Sequence, residues 1–158
     1  MAAASYFVGN FESAAKLFLA SYLDNESSGS ALNLIQMARR NEIPKDFEMP
    51  HLAELFQTAD LNDIYIVNEA LCLAQGFGFP LDWKGADEKI KSLLKLDDLG
   101  GLDWFDQRAS LNDDTEAHLV LGWLTRHDIR EDPEGLSAKD RFDKARKGGV
   151  QVPLWMDE

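Results

Sequence analysis

One stretch, residues 62–80 with the sequence NDIYIVNEALCLAQGFGFP, constrains the fold more than any other part of the chain. Nine of the thirteen residues from 64 to 76 are apolar, and no Lys or Arg interrupts them. Asn62 or Asp63 can cap a helix by accepting hydrogen bonds from the unpaired amides of its first turn, and Gly76 can end it in the left-handed conformation. We therefore predict a helix here that other elements enclose.

The apolar side chains of this predicted helix cover most of its circumference, because they fall into two stripes at helical spacing. The stripes are Ile64, Val67, Leu71 and Ala74, and Ile66, Ala70 and Leu73. Only Asn68, Glu69 and Gln75 are expected to face solvent. A short buried strand at residues 65–67 is the alternative, because the run IYIV is β-branched and aromatic.

A helical hairpin is predicted near the N-terminus. Apolar residues recur at intervals of three and four from residue 11 to residue 24, and Asn10 is a good cap for a helix over this range. The following NESSGS has the composition of a turn, and Ser30 can cap a second helix that ends near Arg39 and Arg40. Two helices joined by so short a loop are expected to pack antiparallel.

Two more helices are predicted on either side of the central one. Pro50 can begin a short helix that breaks at residues 58–63, because proline is tolerated at the first helical position. Residues 86–97 form an amphipathic pattern. The residues of this pattern expected to face inward are Ile90, Leu93 and Leu94.

The region after residue 97 contains one ambiguous segment and two predicted helices. Residues 99–111, LGGLDWFDQRASL, fit either a short helix or an aromatic loop folded onto the core. Asn112 or Asp113 is expected to cap a strong helix that runs to about residue 127. Ser137 with Asp140 forms a variant of the capping box and begins a final short helix.

These elements predict an all-α protein, a single-domain helical bundle of about six or seven helices over residues 1–158, in which the helices could stack as hairpins. A chain of this length can bury about two thirds of the surface that it exposes when unfolded. Residues 150–158 are expected to form an extended C-terminal tail. Its Leu154 and Trp155 are predicted to cover a groove, and an exposed recognition peptide is the alternative.

The net charge of −12 argues against two classes of partner. With 28 acidic and 16 basic residues, the chain is expected to bind neither nucleic acid nor an anionic membrane surface. No apolar run approaches the ~20 residues that span a bilayer, and the N-terminal MAAASYFVGNF lacks the basic residues that begin a secretory signal. We expect a cytoplasmic protein with a basic protein partner, and acidity that serves only solubility is the alternative.

Catalytic and metal-binding patterns are weak, and we expect neither a metal nor a cofactor. His51 with Glu54, and Asp114 with His118, each place two potential ligands on one helical face, but the chain lacks the two Glu-x-x-His pairs that a di-metal bundle site requires. Cys72, the single cysteine, has no basic residue near it in sequence and is expected to be buried and inert. An enzyme is therefore the least favoured class of function.

The feature that carries the functional prediction is negative charge interleaved with aromatic rings. Such a surface suits protein binding, because rings supply buried contact area and charges speed encounter with an oppositely charged partner. The rings expected at the surface are Phe47, Phe56, Trp83, Trp104 and Phe105. The residues expected to bind the partner are Asp97, Asp98, Asp103, Trp104, Phe105, Asp106, Asp113, Asp114 and Trp83.

The leading hypothesis is a non-enzymatic acidic protein that neutralises or regulates a basic partner. An immunity protein or antitoxin against a nuclease-like toxin would have the charge and size that this hypothesis requires. The alternative is a helical-repeat-like scaffold or regulatory subunit of a larger assembly, in which the charge serves only solubility.

Overall fold

The computed structural model describes residues 1–58 and 62–158, and within these ranges the protein is all-helical, as predicted. The described residues form nine α-helices and no strand. The helices are α1 (Ala2–Phe7), α2 (Phe11–Asn25), α3 (Ser28–Arg39), α4 (Leu52–Thr58), α5 (Asp63–Gln75), α6 (Trp83–Lys91), α7 (Asp103–Asn112), α8 (Thr115–Arg126) and α9 (Ala138–Lys147). Short 3₁₀ turns lie at Ser92–Lys95, Gly100–Leu102 and Leu154–Asp157.

Two of these helices, α1 and α7, account for the difference from the six or seven expected. Helix α1 is six residues long, has no side-chain cap and buries none of its residues, so the sequence carried little signal for it. Helix α7 decides between the two interpretations of residues 99–111. The segment is helical, and it follows directly on the 3₁₀ turn at Gly100–Leu102.

Helix α5 has the ends that the sequence predicted. Asn62 accepts a hydrogen bond from the backbone N–H of Tyr65 at 3.2 Å, and Gly76 follows the helix with a φ of 63°. The strand alternative for residues 65–67 is therefore wrong. The expectation that Asn68 faces solvent is also wrong, because Asn68 is only 3% exposed.

Two apolar cores lie on either side of α5. The C-terminal core is built from α5 to α9 and includes Leu71, Leu102, Phe105 and Trp123. The N-terminal core is built from α2, α3 and α4, and α5 contributes Tyr65 and Cys72 to it. One helix thus supplies a wall to each core, which explains why it is apolar on most of its circumference.

A polar seam ties α3, α5 and α8 together between the two cores. Arg39, whose side chain is 6% exposed, donates hydrogen bonds to Asn68 at 3.2 Å and to the carboxylate of Glu116. Gln75 donates to the same Glu116 oxygen at 2.7 Å. Asn68 is buried because it completes this seam, and buried polar groups require such partners.

Several predicted helix starts are displaced in the structure. Ser27, and not Ser30, caps α3; Ser30 is buried within the first turn, and its backbone N–H donates to the Ser27 hydroxyl at 3.3 Å. Asp114, and neither Asn112 nor Asp113, caps α8. Asp113 instead ends α7 in the left-handed conformation, with a φ of 49°.

The predicted helix over residues 86–97 begins earlier and ends earlier. Asp82 accepts from the backbone N–H of Gly85 at 2.8 Å and starts α6 at Trp83. The chain tightens into a 3₁₀ turn after Lys91, and this turn carries Leu94 outward to 54% exposure, contrary to expectation.

Helix α4 begins at Leu52 rather than at Pro50. The predicted break at residues 58–63 falls largely on residues 59–61, which lie outside the described residues. None of the helices in the described ranges combines the length and the apolar character that a membrane span needs.

The capping box of Ser137 and Asp140 is present as predicted at the start of α9.

The C-terminal tail is held against the helices by two arginines. Arg126 donates to the backbone carbonyl of Met156 at 2.6 Å, and Arg146 donates to that of Val152 at 3.1 Å.

The side chains that dock the tail differ from those expected. Val152 and Met156 are buried, and Trp155 is partly buried beneath the Arg126 guanidinium, 5.6 Å from its ring centroid. Leu154 was expected to cover a groove, but it is 76% exposed because it lies on the outer side of the 3₁₀ turn.

Candidate functional site on the two sides of helix α7

Helix α7 carries four of the predicted partner-binding residues and presents them in three directions. Residues three or four positions apart share a helical face, so Asp103 and Asp106 lie together, as do Trp104 and Arg108. Phe105 lies between these faces and points into the C-terminal core. The helix therefore borders one acidic surface and one apolar surface.

The acidic side of α7 is organised around Arg130. This guanidinium pairs with Asp103 at 2.9 Å and with Asp106. Burial raises the pKa of Asp106, and repulsion from Asp103 and Asp132 adds to the increase, while Arg130 opposes it. Two carboxylates thus share the Arg130 guanidinium, and Asp132 lies close enough to Asp106 to add to the repulsion on it.

Beside these carboxylates lies a cavity of about 560 Å³, which we call the acidic hollow. It is lined by Thr125, Asp128, Arg130, Glu131, Asp132, Gly135 and Leu136. Asp128 and Glu131 are exposed, and neither takes part in an ion pair within the described part of the chain. The hollow therefore offers negative charge that the fold itself does not use.

Asp132, which lines the hollow, is bound by a fully buried arginine on α9. Arg141 is 0% exposed and binds both oxygens of Asp132, at 2.7 and 2.9 Å. It also pairs with Glu134 at 3.1 Å. Burial alone would raise the pKa of Asp132, but hydrogen bonds from Arg141 and from the Leu136 and Glu134 amides outweigh it, and the pKa is lowered.

His118 extends this network toward the start of α8. Its Nδ1 atom lies 3.0 Å from a guanidinium nitrogen of Arg141 and its Nε2 atom 2.7 Å from Asp113. Because a guanidinium only donates, Nδ1 must accept, and Nε2 therefore carries the proton and donates to Asp113. This hydrogen bond, together with the charge of Lys144, lowers the pKa of Asp113.

The other predicted carboxylates differ in how far the fold uses them. Asp97 and Asp98 are exposed, and Asp98 accepts only a local hydrogen bond, from the backbone N–H of Gly100 at 2.9 Å. Asp114 accepts from the backbone N–H of Ala117 at 2.9 Å and pairs with Arg108 at 2.5 Å. Asp114 therefore already has two partners within the fold, the first turn of α8 and Arg108.

Most of the predicted surface rings are not at the surface. Phe105 is 3% exposed and Phe56 is 9% exposed, so their placement as surface anchors is wrong. Trp83 is partly buried against Trp123, with the ring centroids 6.3 Å apart, and Phe47 is partly buried against the N-terminal core. Of the five rings, Trp104 alone is exposed, at 42%.

On the far side of α7 lies an apolar concavity of about 440 Å³, which we call the α7 groove. It lies between α1, α2, α3, α5 and α7 and is lined by Ala3, Tyr6, Phe7, Phe18, Asn33, Gln36, Arg40, Ile64, Asn68, Gly101, Trp104, Phe105 and Arg108. Sequence reasoning missed it, because α1 was not predicted. The only signal was the pair of rings in the short N-terminal run ASYF.

The described residues do not favour metal or thiol chemistry. No group of three or more His, Cys, Asp or Glu residues in residues 1–58 and 62–158 is placed to hold a metal ion. In the predicted Asp114 and His118 pair, Asp114 caps α8 while His118 binds Arg141 and Asp113. Burial raises the pKa of the Cys72 thiol to about 12, so that very little thiolate is present at neutral pH.

Comparisons of the chain with protein family models, with curated proteins and with solved structures gave no match. The geometry of these two surfaces is therefore what bears on the function.

Proposed function

We propose that this protein is a non-enzymatic binding protein that neutralises or regulates a basic protein, and that the acidic hollow receives cationic side chains of that partner. The observation that carries the proposal is the pair of exposed carboxylates, Asp128 and Glu131, that line a concave surface and form no ion pair within residues 1–58 and 62–158. A cation entering the hollow would gain their charge without breaking any ion pair of the fold.

The surroundings of the hollow support the same kind of partner. Asp103 is 75% exposed although it pairs with Arg130, so one of its faces remains open to a second cation. Asp97 and Asp98 add exposed charge in the segment that leads into α7. Carboxylates of one sign around a cleft raise the local concentration of a basic partner and speed its association, an effect that salt screens.

Within this proposal, an immunity protein or antitoxin that blocks a nuclease-like toxin is the biological role we favour. A nuclease binds phosphates through a basic surface, and a carboxylate-rich protein can occupy such a surface in place of nucleic acid. The support for this role is the charge and size of the chain and the concave form of its acidic surface.

The test compares two double neutralisations that change the net charge equally. Asp128→Asn/Glu131→Gln removes the free charge of the hollow, and asparagine suits residue 128 because its φ is 51°. Asp24→Asn/Glu48→Gln is the matched control, since both residues are exposed, lie outside the hollow and form no ion pair among the described residues.

Both variants and the wild type are used to capture proteins from the native cell, and each is titrated with a decalysine peptide at low and high salt. We expect the hollow variant to lose the captured basic protein and to bind the peptide several-fold more weakly, while the control stays within about twofold. Equal losses in both variants would assign the effect to overall charge and would remove the hollow as the docking site.

A scaffold or regulatory subunit is the second candidate, and α1 is the observation that favours it. This helix buries none of its residues, and Phe7 and Val8 are 85% and 80% exposed. A partner that covers such a surface would bind with little dependence on salt. Capture that persists in high salt and in the hollow variant would support this candidate.

A further inference from the structure

The α7 groove contains charge of the opposite sign to the protein as a whole. The chain has a net charge of −12, yet the lining that residues 1–58 and 62–158 give the groove includes two arginines, Arg40 and Arg108, and no Asp or Glu. The remaining lining is apolar or neutral. A surface of this composition is complementary to an apolar molecule that carries a negative group.

Both arginines keep hydrogen-bond donors available. Arg40 is exposed, forms no ion pair with the described residues and donates one hydrogen bond, to the Tyr6 hydroxyl at 2.9 Å. Arg108 pairs with Asp114 at 2.5 Å through one terminal nitrogen, and its side chain is 33% exposed. A guanidinium has five N–H donors, so each arginine retains donors for a carboxylate.

The apolar part of the groove includes two aromatic rings that remain exposed to solvent. Phe7 is 85% exposed and Trp104 is 42% exposed, and both line the concavity, with Ile64 and Phe105 also contributing. The Arg108 guanidinium lies over the Trp104 ring, 4.7 Å from its centroid, which places positive charge beside apolar surface. Large rings left open around a concavity indicate a surface that something covers.

We infer that the α7 groove binds a small amphipathic carboxylate, with the apolar chain against Phe7 and Trp104 and the carboxylate held by Arg40 and Arg108. The volume of about 440 Å³ lies in the usual range of small-molecule sites. This inference does not depend on the proposed function, because the groove and the acidic hollow lie on different sides of α7.

The probe is decanoate, compared with decylammonium at concentrations at which neither amphiphile self-associates. Attraction to the net charge alone favours the cation, whereas the groove favours the anion. Isothermal titration calorimetry is expected to show saturable binding of decanoate, at least tenfold tighter than that of decylammonium. Octanoate should bind about tenfold more weakly than decanoate, because it buries two fewer methylene groups.

Two groove variants and two matched controls locate the site. Arg40→Gln should weaken decanoate about tenfold, and Lys45→Gln, which removes an exposed charge outside the groove, should change it less than twofold. Trp104→Ala should also weaken binding about tenfold. Its control is Leu111→Ala, which removes a side chain of α7 that is 79% exposed and does not line the groove.

Circular dichroism and urea midpoints establish that each variant is folded. In NMR spectra of the wild type, the Trp104 indole resonance, assigned through Trp104→Ala, should shift when decanoate is added. Three results would each overturn the inference: no saturable binding of decanoate, equal binding of decylammonium, or equal losses in a groove variant and its control.

Discussion

Helix α7 separates two surfaces that use charge in opposite ways. On one side, Asp103 and Asp106 share Arg130, and the adjoining hollow adds Asp128 and Glu131, which form no ion pair with the described residues. On the other side, in a strongly acidic protein, the described lining of the groove contains arginines and no carboxylate. The comparison teaches that net charge describes the whole molecule and does not predict which charge a given concave surface presents.

The two surfaces also differ in what supports them. The acidic hollow rests on the buried pair of Arg141 and Asp132, whereas one wall of the groove is α1, which buries none of its own residues. A buried charge is costly unless its partner is present, so the hollow depends on this one pair. The wall formed by α1 is tied by the Tyr6 hydroxyl, which accepts from Arg40 at 2.9 Å and donates to Glu42 at 3.3 Å.

The largest effect is expected from breaking the support of the acidic side. Arg141→Met would leave the Asp132 carboxylate, whose side chain is 2% exposed, without its guanidinium partner. We expect a loss of about 3–5 kcal/mol in the free energy of unfolding, because an uncompensated buried charge remains. Urea denaturation followed by circular dichroism measures it. Lys139→Met, which changes an exposed residue on the same helix, is the control. A loss below about 1 kcal/mol for Arg141→Met would mean that water reaches Asp132.

The neighbouring rings of α7 provide the next comparison. Phe105→Ala should destabilise the protein by about 3 kcal/mol, the lower end of the range for a buried phenylalanine, because the ring also borders the groove. Trp104→Ala should cost less than about 1 kcal/mol, since nearly half of that side chain is already in water. Thermal and urea denaturation of the two variants test the difference, and similar losses would show that Trp104 is packed more closely than its exposure indicates.

Acid should weaken the buried pair that supports the acidic hollow. The pKa of Asp132 is lowered in the folded protein, so its stabilising contribution is present above its unfolded pKa of ~3.9 and is lost as the pH falls through the folded pKa. Asp132→Asn should therefore reduce stability at neutral pH and flatten its dependence on pH below about pH 4. Urea midpoints measured across this range provide the test, and an unchanged slope would exclude Asp132 as a source of acid sensitivity.

The smallest effect is expected at Asp106. Burial raises its pKa despite the contact with Arg130, so the folded state gains little from its negative charge. Asp106→Asn should change the free energy of unfolding by no more than about 0.5 kcal/mol, as should Asp103→Asn at its exposed neighbour. A loss above about 1.5 kcal/mol in either variant, measured by urea denaturation, would mean that the pairs with Arg130 stabilise the fold and are not simply available to a partner.

Helices whose signals are local could be predicted from the sequence. The Asn62 cap and the left-handed Gly76 set both ends of α5, and the capping box at Ser137 sets the start of α9. Errors arose where two good capping residues stood close together. Ser27 and Ser30 both fit the pattern, and only the packing of Ser30 against the core decided which of them lies inside the helix.

The candidate site was less predictable, because its contacts join distant parts of the chain. Trp104 and Phe105 are adjacent in sequence, and because both are large aromatic residues, the sequence could not show which of them faces water. Arg141 lies in a highly charged helix that reads as a surface element, although it falls on the same helical face as Ala138 and Ala145. That position was a signal that it is buried.

The sequence alone determined that the chain is helical, where α2, α5 and α9 begin, and that its net charge is −12. Caps, periodicity and composition act within a few residues, so they can be read directly from the chain. Only the tertiary structure decided that Arg130 is shared by two carboxylates, that Arg141 is buried and that two arginines line an apolar groove. Those outcomes depend on the distances between separate helices, because burial and charge pairing are set by which elements pack together.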